Sequence, residues 1–246
     1  MYIALLAWVA VATLLSYIIE RLWSDITSRR AFRFAMAPGV VVHELSHVAG
    51  CILTGAKVGR VTLFDGSGGR VVHSRPKVPI FGQPIISLAP VAGCTLALYA
   101  VWWFFSGRLG LQSPELPRIE ISADGAKALG LALQTLFLDS LRQVFARRFL
   151  SADGAIFIYL VLTFSICMAP SPTDLRQALL GLVGISAIVF LIHSFGLANL
   201  QTGAELSDRI TRLGWKLFTF SIMLLMSALA ISVPALIIRK VIGSAK

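Results

Sequence analysis

A chain of 246 residues that is 57% hydrophobic and only 14% charged, with mean hydropathy +0.80, is too apolar for an ordinary soluble domain. Its length allows one integral-membrane domain, residues 1–246, of about six helices at roughly 20 apolar residues each, and excludes a second sizeable domain. The formal charge of +10 comes from 22 Lys and Arg scattered over short loops between apolar runs, a distribution suited to anionic headgroups at a membrane surface and not to nucleic acid.

The first apolar run, Tyr2 to Ile19, has no basic residue ahead of it, is long enough to span, and is followed by Glu20-Arg21. It predicts an uncleaved first helix rather than a signal peptide. A basic linker, Arg21 to Arg33, leads to a second segment that begins at Pro38, a residue suited to a first helical turn, and stops at Gly55. Inside this segment lies His43-Glu44-Leu45-Ser46-His47. On a helix, positions i and i+4 share a face, so both imidazoles can point at one metal while Glu44 reaches a water beside it. With 4 His and 5 Glu available, chance produces the pattern in roughly one such chain in a thousand. Polar side chains at membrane depth are costly, which also weighs against two packing histidines one turn apart.

Residues 56–79 change character. Val58, Val61, Leu63 and Phe64, then Arg70-Val71-Val72-His73, flank Asp65-Gly66-Ser67-Gly68-Gly69, and two β-branched runs around a Gly-rich turn predict a hairpin. The third segment is Pro84 to Phe105, with small residues that permit close helix contact, and 106–122 form a polar loop. From Ala123 to Leu150, Leu133, Leu136, Phe137, Leu141, Val144, Phe145 and Phe149 recur at helical spacing opposite Gln134, Arg142, Gln143 and Arg147, which predicts an amphipathic helix at the membrane interface. Segment four, Ala155 to Ala169, is broken by Pro170-Ser171-Pro172-Thr173-Asp174. Segments five and six run from about Leu175 to Leu197 and from Trp215 to Ile238. Cys51, Cys94 and Cys167 fall in apolar runs without a CxxC neighbour and read as small buried hydrophobes. The positive charges are too evenly divided to orient the chain. The expected fold is therefore an all-α polytopic membrane protein with a small hairpin after the zinc-motif helix.

A zinc hydrolase holds Zn2+ with three protein ligands and leaves a fourth position open. A third histidine six residues after His47 is excluded, because position 53 is Leu53. A glutamate on a later helix is not available either: Glu115 and Glu120 sit in a Pro-bearing loop and Glu205 follows Gly203 in another. Asp174 and Asp139 remain. Asp174 stands at a Pro-broken junction where unwound backbone can line a polar cavity, and its competing role is a helix N-cap. Asp139 is the second candidate, and its competing role is a solvated position on the polar side of the amphipathic helix. His73 reads as an exposed hairpin residue and His193 as a packing residue.

On these residues the chain resembles the site-2 protease family of intramembrane zinc metalloproteases: the His43–His47 motif on a membrane helix, a Gly-bearing hairpin, a further span, and a later Pro-and-Asp element, over roughly residues 34–198. The resemblance implies that His43 and His47 ligate zinc, that Glu44 is general base and acid, and that Asp174 stands where the family has its third-ligand aspartate. It also implies that the hairpin at 58–73 presents an extended membrane-protein substrate by strand addition. The family's Asn-x-x-Pro and Leu-Asp-Gly signature is absent, the sole Asn being Asn199, and no PDZ-sized insertion exists. The expected activity is hydrolysis of a peptide bond in or near a transmembrane segment, by a multi-pass protein of a cell membrane. A catalytically silent zinc-binding membrane protein and a metal or proton transporter are the other readings of the same residues; a prenyl-protein type of protease would need a helical Glu ligand that the chain lacks.

Overall fold

The computed structural model describes residues 11, 13–23, 29–66, 68–111, 123–144, 150–178 and 221–237. Among these are eight helices and one hairpin: α1 (13–23), α2 (Arg29–Ala35), α3 (Ala37–Thr54), β1 (Val58–Thr62), β2 (Arg70–His73), α4 (Pro79–Leu109), α5 (Ala123–Val144), α6 (Ala152–Cys167), α7 (Pro172–Ala178) and α8 (Ser221–Ile237).

The motif helix α3 packs against both α4 and α6, and glycine is what lets it. A Cβ on Gly39 would sit 2.6 Å from Thr163 Oγ1 of α6, one on Gly50 would sit 3.0 Å from Ile86 Cα of α4, and one on Gly93 of α4 would overlap Ser46 Oγ of α3. Small residues at these crossings bring backbones within reach of one another's polar groups. Met36, the α3 N-cap, offers no side-chain cap; instead Thr163 Oγ1 accepts from the Gly39 amide at 2.9 Å, filling one of the donors a helix start leaves open. At the other end Gly55 takes φ 69°, and the Ala56 amide donates to the Cys51 carbonyl at 2.9 Å, which stops the helix and turns the chain into β1.

Further polar links hold the remaining helices. Ser16 Oγ of α1 donates to the Ser165 carbonyl of α6, Ser221 of α8 donates to Thr95 of α4 at 2.8 Å, and Trp23 Nε1 of α1 donates to Ser232 of α8 at 2.7 Å. The apolar core between them includes Val91, Leu98, Phe105, Phe157, Val161, Ile222 and Leu225.

The hairpin is antiparallel, with Val58 opposite His73, Val61 opposite Val71 and Thr62 opposite Arg70. Three steps along β1 match two along β2, so β1 carries a bulge between Val58 and Val61. Gly66 at φ 83° and Gly68 at φ 150° make the turn, and Phe34 of α2 meets Phe64 edge-on at 5.7 Å to seat the tip.

At 31 residues, α4 rises about 46 Å, more than the ~30 Å of a hydrocarbon core. Among the described residues it is the one helix long and apolar enough to cross a membrane by itself; α6 with α7, bent by 61°, passes as a broken pair. Leu96, Trp103 and Phe104 of α4, Ile52 and Leu53 of α3 and Ile156 of α6 lie exposed, an apolar exterior of the kind that lipid covers.

Several elements differ in extent from the sequence expectation. The third segment is longer at both ends than Pro84–Phe105, because Pro79 can start a helix and Gly110 at φ 60° ends it. The fourth begins at Ala152, where Ser151 Oγ caps the Gly154 amide at 3.1 Å. The described residues of the basic linker, 21–23 and 29–33, are helical, as the end of α1 and within α2. In α5, Leu133, Leu136 and Phe137 pack on the core while Gln134 and Arg142 are exposed. Residues 2–10, the loop 112–122, Phe145 and Phe149, most of segment five, and 215–220 lie outside the described residues.

Candidate metal centre

His43 and His47, one turn apart on α3, bring their ring centroids to 4.9 Å. A carbonyl oxygen can only accept, so each ring's Nδ1 must carry its hydrogen. His43 Nδ1 donates to the Cys167 carbonyl at 2.6 Å, and His47 Nδ1 donates to the Ile86 carbonyl at 3.0 Å. Both acceptors are free for a reason. Cys167 is the last residue of α6, where carbonyls run out of helical partners. Ile86 would give its oxygen to the amide four residues on, but that residue is Pro90, which has none. Nδ1 is thereby engaged on both rings and Nε2 is left as the free lone pair, the arrangement by which outer hydrogen bonds orient ligating histidines.

The third group is Asp174. One ligand atom each from His43, His47 and Asp174 lie within 4.8 Å of one another, the only such His/Cys/Asp/Glu group among the described residues, and His47 Nε2 stands 3.7 Å from Asp174 Oδ2. A tetrahedral zinc with bonds of about 2.0–2.1 Å requires ligand atoms about 3.3 Å apart, so the ligand atoms would have to draw together by up to about 1.5 Å to close the cage. Two imidazole nitrogens and a carboxylate fit zinc chemically and leave one position open.

Asp174 reaches this place through the breaker at Pro170-Ser171-Pro172. Ser171 caps α7: its carbonyl accepts from the Leu175 amide at 2.9 Å and its Oγ from the Asp174 amide at 3.2 Å, while Asp174 Oδ2 accepts back from the Ser171 amide at 3.2 Å and from Ser171 Oγ at 2.6 Å. This is a reciprocal capping box. The N-cap role that the sequence offers Asp174 thus belongs to Ser171, with Pro172 first in the helix and Asp174 third. A carboxylate has enough lone pairs to serve cap and metal together. Gln177, one turn further along α7, is tied to α4: its Oε1 accepts from Gln83 Nε2 at 2.6 Å and from Ser87 Oγ at 3.1 Å. That clasp holds the short helix, and with it Asp174, over the histidines.

Glu44 is 7% exposed and has no hydrogen-bond partner among the described residues. Its carboxylate lies against the hairpin, where a Cβ on Gly69 would stand 2.7 Å from Glu44 Oε1. Only a residue without a side chain leaves the carboxylate its place.

The structure brings together four residues singled out in the sequence: His43, Glu44, His47 and Asp174. Asp139 is placed elsewhere, paired on α5 with Arg142 at 3.3 Å. His73 donates from Nδ1 to the Ser74 carbonyl at 2.8 Å, outside the metal group. His193, Glu115, Glu120, Asn199 and Glu205 lie outside the described residues. Gly69, Gln83, Ser87 and Gln177 carry no sequence motif and were not foreseen; Pro90 offered a signal, since it frees the carbonyl four residues earlier. Among known proteins no family, no curated protein and no solved structure matches the chain, so its function is read from this site.

Proposed function

We propose that the chain is a zinc-dependent intramembrane endopeptidase of site-2 protease type, a multi-pass protein of about six spans that hydrolyses a peptide bond in or near a transmembrane segment of a membrane-protein substrate. The observation that carries this reading is the pairing of two imidazoles, each with Nδ1 engaged by a backbone carbonyl, with a carboxylate 3.7 Å from one of them and, on the same helix, a buried Glu44 without a hydrogen-bond partner among the described residues. A structural metal site has no use for that glutamate.

When bound, Zn2+ supplies Lewis acidity to the scissile carbonyl and acidity to the attacking water. Glu44 takes the proton of that water and returns it to the departing amine, the two halves of general acid–base catalysis by one carboxylate. His43, His47 and Asp174 hold the ion, and the α4 and α6 carbonyls keep the rings in register. A transmembrane helix hides its peptide carbonyls in its own hydrogen bonds, so the substrate has to present a locally unwound segment containing Gly or Pro.

One observation favours a second reading. Gly69 rests directly on Glu44, and a hairpin that never moved would leave a silent zinc-binding protein. The same experiment separates the two: purified protein reconstituted in liposomes with a Pro-containing transmembrane substrate, with zinc content and cleavage measured beside Glu44→Gln. Peptidase action requires cleavage by the original chain and none by the variant at equal zinc content. Zinc without cleavage by either leaves the silent reading, and cleavage by both removes Glu44 from the mechanism.

A further inference from the structure

Beside the metal centre a groove of about 600 Å³ runs along the whole of β2 and is closed by Pro79 and Gln83 of α4 and Gln177 of α7. A second, shallower groove of about 520 Å³, which includes Arg176, shares Gln177 with it. Gln177 is one turn from Asp174, so both grooves have a wall within one helical turn of a metal ligand.

The lining is asymmetric in charge. Arg70 and Arg75 line the first groove and Arg176 the second, and no acidic residue lines either. All three guanidinium groups belong to exposed residues, and none makes an ion pair among the described residues. The rest of the first groove is mixed: Ser74, His73, the two glutamines and the strand backbone offer hydrogen bonds beside the apolar Val71, Val72 and Pro79. Hydrogen-bonding strand backbone with side chains of both kinds suits an extended polypeptide.

We propose that these grooves bind an extended acidic peptide, with Arg70, Arg75 and Arg176 pairing to its Asp or Glu side chains beside the scissile bond. This rests on the peptidase reading of the neighbouring metal centre and names its substrate class: a membrane protein whose unwound cleavage region is flanked by acidic residues. The arginines choose the substrate and take no part in the chemistry. Guanidinium suits the task because it stays charged and meets a carboxylate with two parallel N–H donors.

The test uses the Glu44→Gln chain in neutral phosphatidylcholine nanodiscs and a short fluorescent Val/Ser peptide carrying two Glu, two Gln or two Lys, with binding read by anisotropy. The Glu peptide should bind about tenfold more tightly than the Gln peptide, and the Lys peptide most weakly, as a few partly screened ion pairs provide. Added salt should erase the order. Arg70→Glu with Arg75→Glu should invert it, and the milder Arg75→Gln should flatten it; zinc content equal to that of the parent certifies the fold of each. Equal or undetectable binding of all three peptides overturns the proposal, as does an order that the arginine variants leave intact. If instead these arginines govern the uptake of phosphatidylglycerol, the patch faces lipid and the proposal is wrong. Selective binding of the Glu peptide without cleavage of an acidic substrate by the unaltered chain sinks the peptidase reading and leaves the groove. Cleavage indifferent to flanking charge does the reverse.

Discussion

Placing a methyl group at Gly93 tests how the two helices set the metal site. A Cβ there would overlap Ser46 Oγ and stand 2.8 Å from Ser46 Cβ, with Ser46 Cα at an ordinary 3.8 Å. Carbon atoms rest at about 3.5–4.0 Å, so Gly93→Ala must push α4 from α3 by about 1 Å, at an overpacking cost of about 1–3 kcal/mol. The Ile86 carbonyl lies two turns earlier on α4 and accepts from His47 at 3.0 Å; a shift of about 1 Å takes that contact beyond hydrogen-bond range. Two readouts should fall together. Thermal unfolding in detergent, followed with a thiol-reactive dye that reports the buried Cys51 and Cys94, should drop by about 2–4 °C per kcal/mol. Zinc affinity, measured by chelator competition, should fall about 10–100-fold, as losses of an outer hydrogen bond do. Ser46→Gly removes both crowding atoms, and by itself costs about 0.5 kcal/mol of helix propensity. Added to Gly93→Ala it should restore stability and zinc binding together. If the two substitutions are additive within about 0.5 kcal/mol, or if Gly93→Ala leaves zinc affinity unchanged, the proposed coupling between helix spacing and ligand orientation is wrong.

Asp174→Asn should weaken zinc binding by at least the about 10–100-fold expected of an outer partner, whereas Asp139→Asn, on a residue engaged with Arg142, should leave it unchanged; the reverse result would move the third ligand to α5. Gln177→Ala, which unfastens α7 from α4, should cost about tenfold in zinc affinity, with exposed Thr173→Ala on the same helix as the control by chelator competition. Gly69→Ala puts a methyl group 2.7 Å from Glu44 Oε1, and turnover should fall while zinc content holds; unchanged turnover would mean that the hairpin stands clear of Glu44 when substrate is bound. Zinc at about 100 times its dissociation constant should stabilise the fold by about 2.7 kcal/mol, visible as a higher unfolding temperature that phenanthroline removes and that His47→Ala never shows.

Local chemistry makes part of this legible in the sequence. The helix from Ala37 to Thr54 announces itself by a Pro near its start and a Gly after its end, and the hairpin by β-branched runs around glycines, because these residues act through their own backbones. The nearness of Asp174 to the motif can be argued only by elimination, since 126 intervening positions separate it from His47 and nothing local encodes their meeting. The mutual fit of Gly93 with Ser46, of Gly39 with Thr163 and of Gly69 with Glu44 is a property of pairs. Each glycine alone reads as a flexible or small residue, and its partner becomes visible only when helices are side by side. Gln83 and Gln177 read as ordinary polar residues for the same reason. Segment lengths differ from the expectation where capping decides them, as at Ser151, whose hydroxyl starts α6 ahead of the apolar run.

The missing amide of Pro90 reaches further than its own helix. A proline inside a span is commonly a source of bending, yet here the vacancy it leaves has a borrower: an imidazole on the neighbouring helix takes up the orphaned oxygen. The Cys167 carbonyl does the same for the other ring, so both imine nitrogens are left for a cation and capture requires no exchange of protons between ring atoms. A helix that donates no ligand thus sets the readiness of the trap, and a flaw in one backbone becomes the alignment of another's side chain.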